Sequence, residues 1–127
     1  MNTMARLFLS IGSISGALAV MLGAFGAHGL KGKLSEKMLA NYMTGVEYQF
    51  YHTLALLFVG IIALHQPGRV LTASGWAFTL GIVIFSGSLY ILALTGVTKL
   101  GAVTPIGGLM FIAGWILLAV SILKSAA

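Results

Sequence analysis

Thr44 to His52, TGVEYQFYH, holds the densest set of chemically capable side chains in this sequence. Glu47 is one of only two acidic residues in the 127, and Tyr48, Gln49, Tyr51 and His52 follow it closely. Two roles fit. Thr44 and Glu47 have the S/T-x-x-E spacing of a capping box, in which each side chain bonds the other's backbone amide and the carboxylate sits at the positive end of the helix dipole. Alternatively the helix runs on continuously from Ser35. At about 100° per residue, Thr44, Glu47, Tyr48 and Tyr51 then form one polar stripe, with His52 on its edge and Gln49 beyond it. Ionisable groups within a membrane span face the bundle interior or a wet cavity. Such a stripe, joined by His28, Ser86 and Thr104, would suit a lipid head group, a small cation or a proton path.

Other chemistries find little support. A zinc site takes three or four placed ligands, and only His28, Glu47 and His52 can be nominated, so neither a metal nor another cofactor is expected. There is no aspartate for a Ser–His–Asp triad, and no strand-turn-helix elbow surrounds any serine. The glycines lie inside apolar runs rather than in a loop opening beside a lysine, so nothing cradles a phosphate. His28 and His65 also suit the negative ends of helices. No catalytic residue is assigned.

The elements that would position these residues follow from composition. The chain is 59% hydrophobic and carries nine formal charges, seven basic and two acidic. Soluble domains are about 25% charged, so the solvent that suits this chain is lipid. The basic residues stand singly or in a short run at the ends of apolar stretches. They read as interface anchors and not as a nucleic-acid surface. Without cysteine there is no disulfide or thiolate site.

Charges divide the sequence into four apolar blocks, at about 7–27, 46–64, 70–95 and 105–123. Each is close to the roughly 20 residues needed to cross the hydrocarbon, and backbone groups in lipid must be satisfied internally. The expected fold is an all-α integral membrane protein in one domain, an antiparallel bundle of four transmembrane helices. A short amphipathic helix at about 34–43, lying in the interface, is expected between the first two spans. The first block is longer than the roughly 7–15 apolar residues of a signal peptide and is expected to be a span. Gly12, Gly16, Ala19, Gly23 and Gly26 step along it by fours and threes, making a smooth groove for close helix approach, within the chain or between subunits.

Four blocks resemble the signature segments of one membrane family: LGAFGAHGL at 22–30, TGVEYQFYHTLALL at 44–57, FSGSLYILALTG at 85–96 and TPIGGLMFIAGW at 104–115. The family is catalogued as domain of unknown function 423 and has animal counterparts. The resemblance covers nearly the whole chain in order. It implies a four-helix inner-membrane protein without an assigned activity, and recurrent polar residues at Glu47, Tyr48, Gln49, His52, Ser86, Ser88, Tyr90 and Thr104. It also tips the orientation toward cytoplasmic termini. The residues alone give a near tie, with Arg6, Arg69 and Lys124 on one side and Lys31, Lys33, Lys37 and Lys99 on the other.

The leading functional expectation is a non-enzymatic oligomeric or accessory membrane protein, whose partners are membrane lipids and further copies of the chain or a larger complex. A small transporter or channel-like protein using Glu47 and His52 is the alternative. A lipid-binding or lipid-active protein is a second.

Overall fold

The computed structural model describes residues 1–125. Helix α1 covers Thr3–His28 and α2 covers Glu36–His65. The third span is compound: α3 (Arg69–Gly81), a π-helical turn (Ile82–Ser86) and α4 (Gly87–Thr95) run on without a break. A 3₁₀ turn, Thr98–Ala102, leads into α5, Thr104–Lys124. Four helices are long and apolar enough to cross a membrane, and among the described residues there is no strand.

The amphipathic segment after α1 is not a separate helix. It forms the first turns of α2, which begins at Glu36 and continues through the second span to His65. The cap is therefore Ser35, whose Oγ accepts from the Met38 amide at 3.1 Å. Thr44 lies inside the helix, where its hydroxyl donates to the Ala40 carbonyl at 3.0 Å. No amide is left there for a capping box, because every backbone N–H in a helix interior already has a partner one turn back. Ser35→Ala is expected to cost about 1 kcal/mol of helix stability. Thr44→Ala should cost only a few tenths, since Ala removes a back-bonded hydroxyl and raises helix propensity. Thermal melts of the two variants in one detergent check the order.

Contacts follow chain order. α1 lies along α2, α2 packs against the third span, and the third span against α5, while α1 and α5 share no extensive contact. The inner pair, α2 and the third span, therefore carries most of the buried surface. Asn2 ties the row at one end: its Oδ1 caps α1 at the Ala5 amide, and its Nδ2 donates to the Ala63 carbonyl at the far end of α2, both at 2.8 Å. At the other end Gly96, with φ of 74°, closes α4 in a left-handed cap that a side chain would strain.

Apolar burial falls into two clusters. One lies within the spans, around Phe8, Leu56, Val59, Phe78 and Phe111. The other gathers Leu30, Tyr42 and Ala93 near the start of α2 and the end of α4. Between helices the packing device is a large side chain against a glycine. Leu57 covers Gly12, Tyr42 covers Gly26, Phe8 covers Gly75, Phe111 covers Gly81 and Phe78 covers Gly114. The groove on α1 is thereby accounted for. Gly12, Gly16, Gly23 and Gly26 all face α2 side chains of the same chain, and Ala19 is buried in the same row. The groove holds α1 to α2.

Candidate functional site

Buried polar side chains bind the helices in pairs. Gln49 is the hub of the largest set. Its Nε2 donates to the Ser15 carbonyl at 3.0 Å and to Ser15 Oγ at 3.3 Å, while its Oε1 accepts from the Tyr90 hydroxyl at 2.6 Å. Ser15 Oγ and Thr53 Oγ1 are 2.7 Å apart. Three helices, α1, α2 and α4, meet through these four side chains. Ser86 donates to the Gly45 carbonyl at 2.6 Å, Ser74 donates to the Gly114 carbonyl at 2.8 Å, and the Ser88 and Thr104 hydroxyls pair at 2.6 Å. Among the described residues no buried side-chain nitrogen or oxygen lacks a partner. In hydrocarbon an unmade bond of this kind has no water to replace it, so these pairs set the register of the bundle.

His52 belongs to a different arrangement. Its ring lies flat on Phe111, with centroids 3.6 Å apart and planes within 5°. Nε2 is 3.1 Å from Trp115 Nε1, and Nδ1 is 2.7 Å from the Tyr48 carbonyl oxygen. An indole N–H can only donate and a carbonyl can only accept. The hydrogen bonds therefore assign the proton to Nδ1 and the lone pair to Nε2, a neutral imidazole. Both nitrogens are occupied. A second proton on Nε2 would point at the Trp115 N–H, and a metal there would displace it.

Around this pair runs a lateral groove of about 660 Å³ between α2 and α5. Tyr48, Tyr51 and His52 line one wall, Gly108, Phe111 and Trp115 the other, and Phe85 of the π turn lies between them. Tyr48 packs on Phe85 at 4.8 Å between centroids and edge-on to Tyr51 at 5.6 Å. The π turn shapes this floor. An extra residue in one turn shifts the faces on either side, and Gly107 lets α5 lie directly on the backbone of Phe85.

The polar stripe of the sequence is thus divided. Tyr48, Tyr51 and His52 come together on the groove. Gln49 and Ser86 turn to interhelical bonds, as do Ser88 and Thr104. Glu47 is exposed outside the groove, on the α1 side of α2. His28 is exposed at the end of α1. Among the described residues no three His, Cys, Asp or Glu side chains converge as a metal would require. Sequence reasoning did not assign Phe85, Phe111 and Trp115 to the site, nor Ser15 and Thr53 to the network. One signal for the groove was present: Tyr48 and His52 are four apart on α2, as are Phe111 and Trp115 on α5, the spacing that puts two side chains on one face.

The family described as "Protein of unknown function (DUF423)" matches residues 22–108. The UPF0382 membrane protein SH2409 of Staphylococcus haemolyticus is 51% identical over 119 residues, covering 94% of this chain and 97% of its own length. The UPF0382 membrane protein YwdK of Bacillus subtilis is 50% identical over 121 residues, covering 94% of this chain and 98% of its own. No solved structure matches the chain.

Proposed function

Because the chain belongs to the membrane-protein family described as protein of unknown function 423, we propose a function that needs no chemistry: lateral binding of a lipid acyl chain in the α2–α5 groove, by a non-enzymatic protein of the bacterial inner membrane with both termini cytoplasmic. The observation that carries this reading is the groove itself. Its volume of about 660 Å³ lies in the range of roughly 300–1,000 Å³ typical of ligand sites. It is walled by aromatic rings and opens sideways at a depth where the surrounding solvent is hydrocarbon. The oligomeric or accessory role loses its main support, because α2 fills the glycine stripe on α1. The transport reading has little to rest on: His52 is held neutral between Trp115 and Tyr48, and Glu47 lies outside the groove.

Gly108 permits a test. A Cβ there would meet nothing closer than Phe85 at 3.9 Å, so Gly108→Leu can be accommodated and its side chain would occupy the groove. Gly87 is equally open but does not line the groove, and Gly87→Leu serves as the control. Native mass spectrometry of protein released gently from membranes is expected to show lipid retained by wild type and Gly87→Leu and largely lost from Gly108→Leu. Equal retention in all three would overturn the proposal.

A further inference from the structure

Glu47 is the acidic side chain that the bundle leaves unused. Ser86 bonds the carbonyl of Gly45, and α5 begins at Thr104, opposite Ser88. Glu47 therefore lies only about 3 Å deeper than the level where Ser86 meets α2, at the rise of a helix, and within the first turns of α5. At this level, near the start of α5, the carboxylate is exposed on a patch of about 460 Å³. Val20, Gly23 and Ala24 of α1 and Val46, Phe50 and Tyr51 of α2 surround it, and no lining residue is basic. A carboxylate on an apolar, lipid-facing surface calls for a cation.

Tyr51 connects this patch to the groove. It lines both, is 52% exposed, and is braced edge-on by Tyr48. An ammonium group held by Glu47 would lie against an aromatic side chain whose face attracts cations. We infer that Glu47 and Tyr51 form a head-group subsite for an amine-bearing phospholipid, a phosphatidylethanolamine whose acyl chain lies in the α2–α5 groove. The inference rests on the groove reading and adds the choice of head group. A lipid amine is favoured over a basic side chain of a partner helix because the patch shares Tyr51 with a groove shaped for a chain.

The test uses full-length protein reconstituted in vesicles of equal parts phosphatidylethanolamine and phosphatidylglycerol, then released with bound lipid for mass analysis. Wild type is expected to carry phosphatidylethanolamine enriched about twofold to fivefold over the vesicle, the range an exposed ion pair sustains. Glu47→Gln, nearly isosteric and on an exposed position, should retain as much lipid in total at the bulk ratio. Glu47→Lys should favour phosphatidylglycerol. A ratio unaffected by either substitution would overturn the head-group assignment and leave the groove standing. No retained lipid in wild type would overturn both. Release of a bound polypeptide by Glu47→Gln, with the lipid ratio unchanged, would assign the carboxylate to a protein partner instead.

Discussion

Gly107→Leu is expected to detach α5 from the third span, whereas Gly108→Leu, one residue on, leaves the fold intact. A Cβ on Gly107 would run into the backbone nitrogen and Cα of Phe85. Those atoms belong to the π turn and cannot move as a side-chain tip can. Overpacking typically costs about 1–3 kcal/mol, and a clash with backbone belongs at or above the top of that range. The affected contact anchors the whole outer helix, because α5 packs mainly on the third span. A loss of about 3 kcal/mol corresponds to a melting shift on the order of 10 °C for a chain of this size. The expected size-exclusion profile in detergent is broadened or aggregated for Gly107→Leu and monodisperse for Gly108→Leu. Similar melts for the two would mean that α5 does not lie on the π turn as described.

Gln49→Leu is expected to have the second-largest effect, about 2–3 kcal/mol. Three hydrogen bonds go at once, two to Ser15 and one from Tyr90. In membrane bundles single interhelical bonds average about 0.6 kcal/mol and reach about 1.7, which bounds the sum. The greater part of the cost is the orphaned Tyr90 hydroxyl, left without water to replace the amide, whereas the Ser15 carbonyl keeps its bond within α1. This assignment has a consequence of opposite sign. Adding Tyr90→Phe to Gln49→Leu removes one orphan and should recover about 1 kcal/mol, although Tyr90→Phe alone destabilises. A double-mutant cycle of thermal melts reads the coupling directly.

The division of the chain into spans was legible because charge is so scarce. Nine ionic residues among 127 act as rulers in a sequence whose solvent is lipid. The glycine stripe on α1 was equally visible, but its partner was not. Small residues announce close approach without saying what approaches, and here it is Leu57, Thr53, Val46 and Tyr42 of the same chain. The capping box failed for a local reason. The spacing of Thr44 and Glu47 is the same in a helix interior as at its start, and Ser35 with Met38 offered a cap nine residues earlier. The division of the polar stripe was out of reach of sequence because it depends on tertiary contacts. Gln49 and His52, three apart, serve different neighbours: Ser15 and Tyr90 in one case, Trp115 and Phe111 in the other. The π turn had no marker beyond the flanking Gly81 and Gly87, yet it aligns Phe85 with the groove.

Photolabelling tests the central claim most directly: wild-type protein in bilayers containing a phospholipid with a diazirine on its acyl chain, with adducts mapped by peptide. Leu109 in the groove and Val83 outside both the groove and the Glu47 patch are matched in exposure, at 66% and 64%. A chain held between α2 and α5 predicts several-fold heavier labelling of Leu109, Tyr51 and Trp115 than of Val83, and loss of the excess in Gly108→Leu. Labelling that follows exposure alone, unchanged by Gly108→Leu, would contradict a binding groove and leave these aromatic residues as ordinary lipid-facing surface.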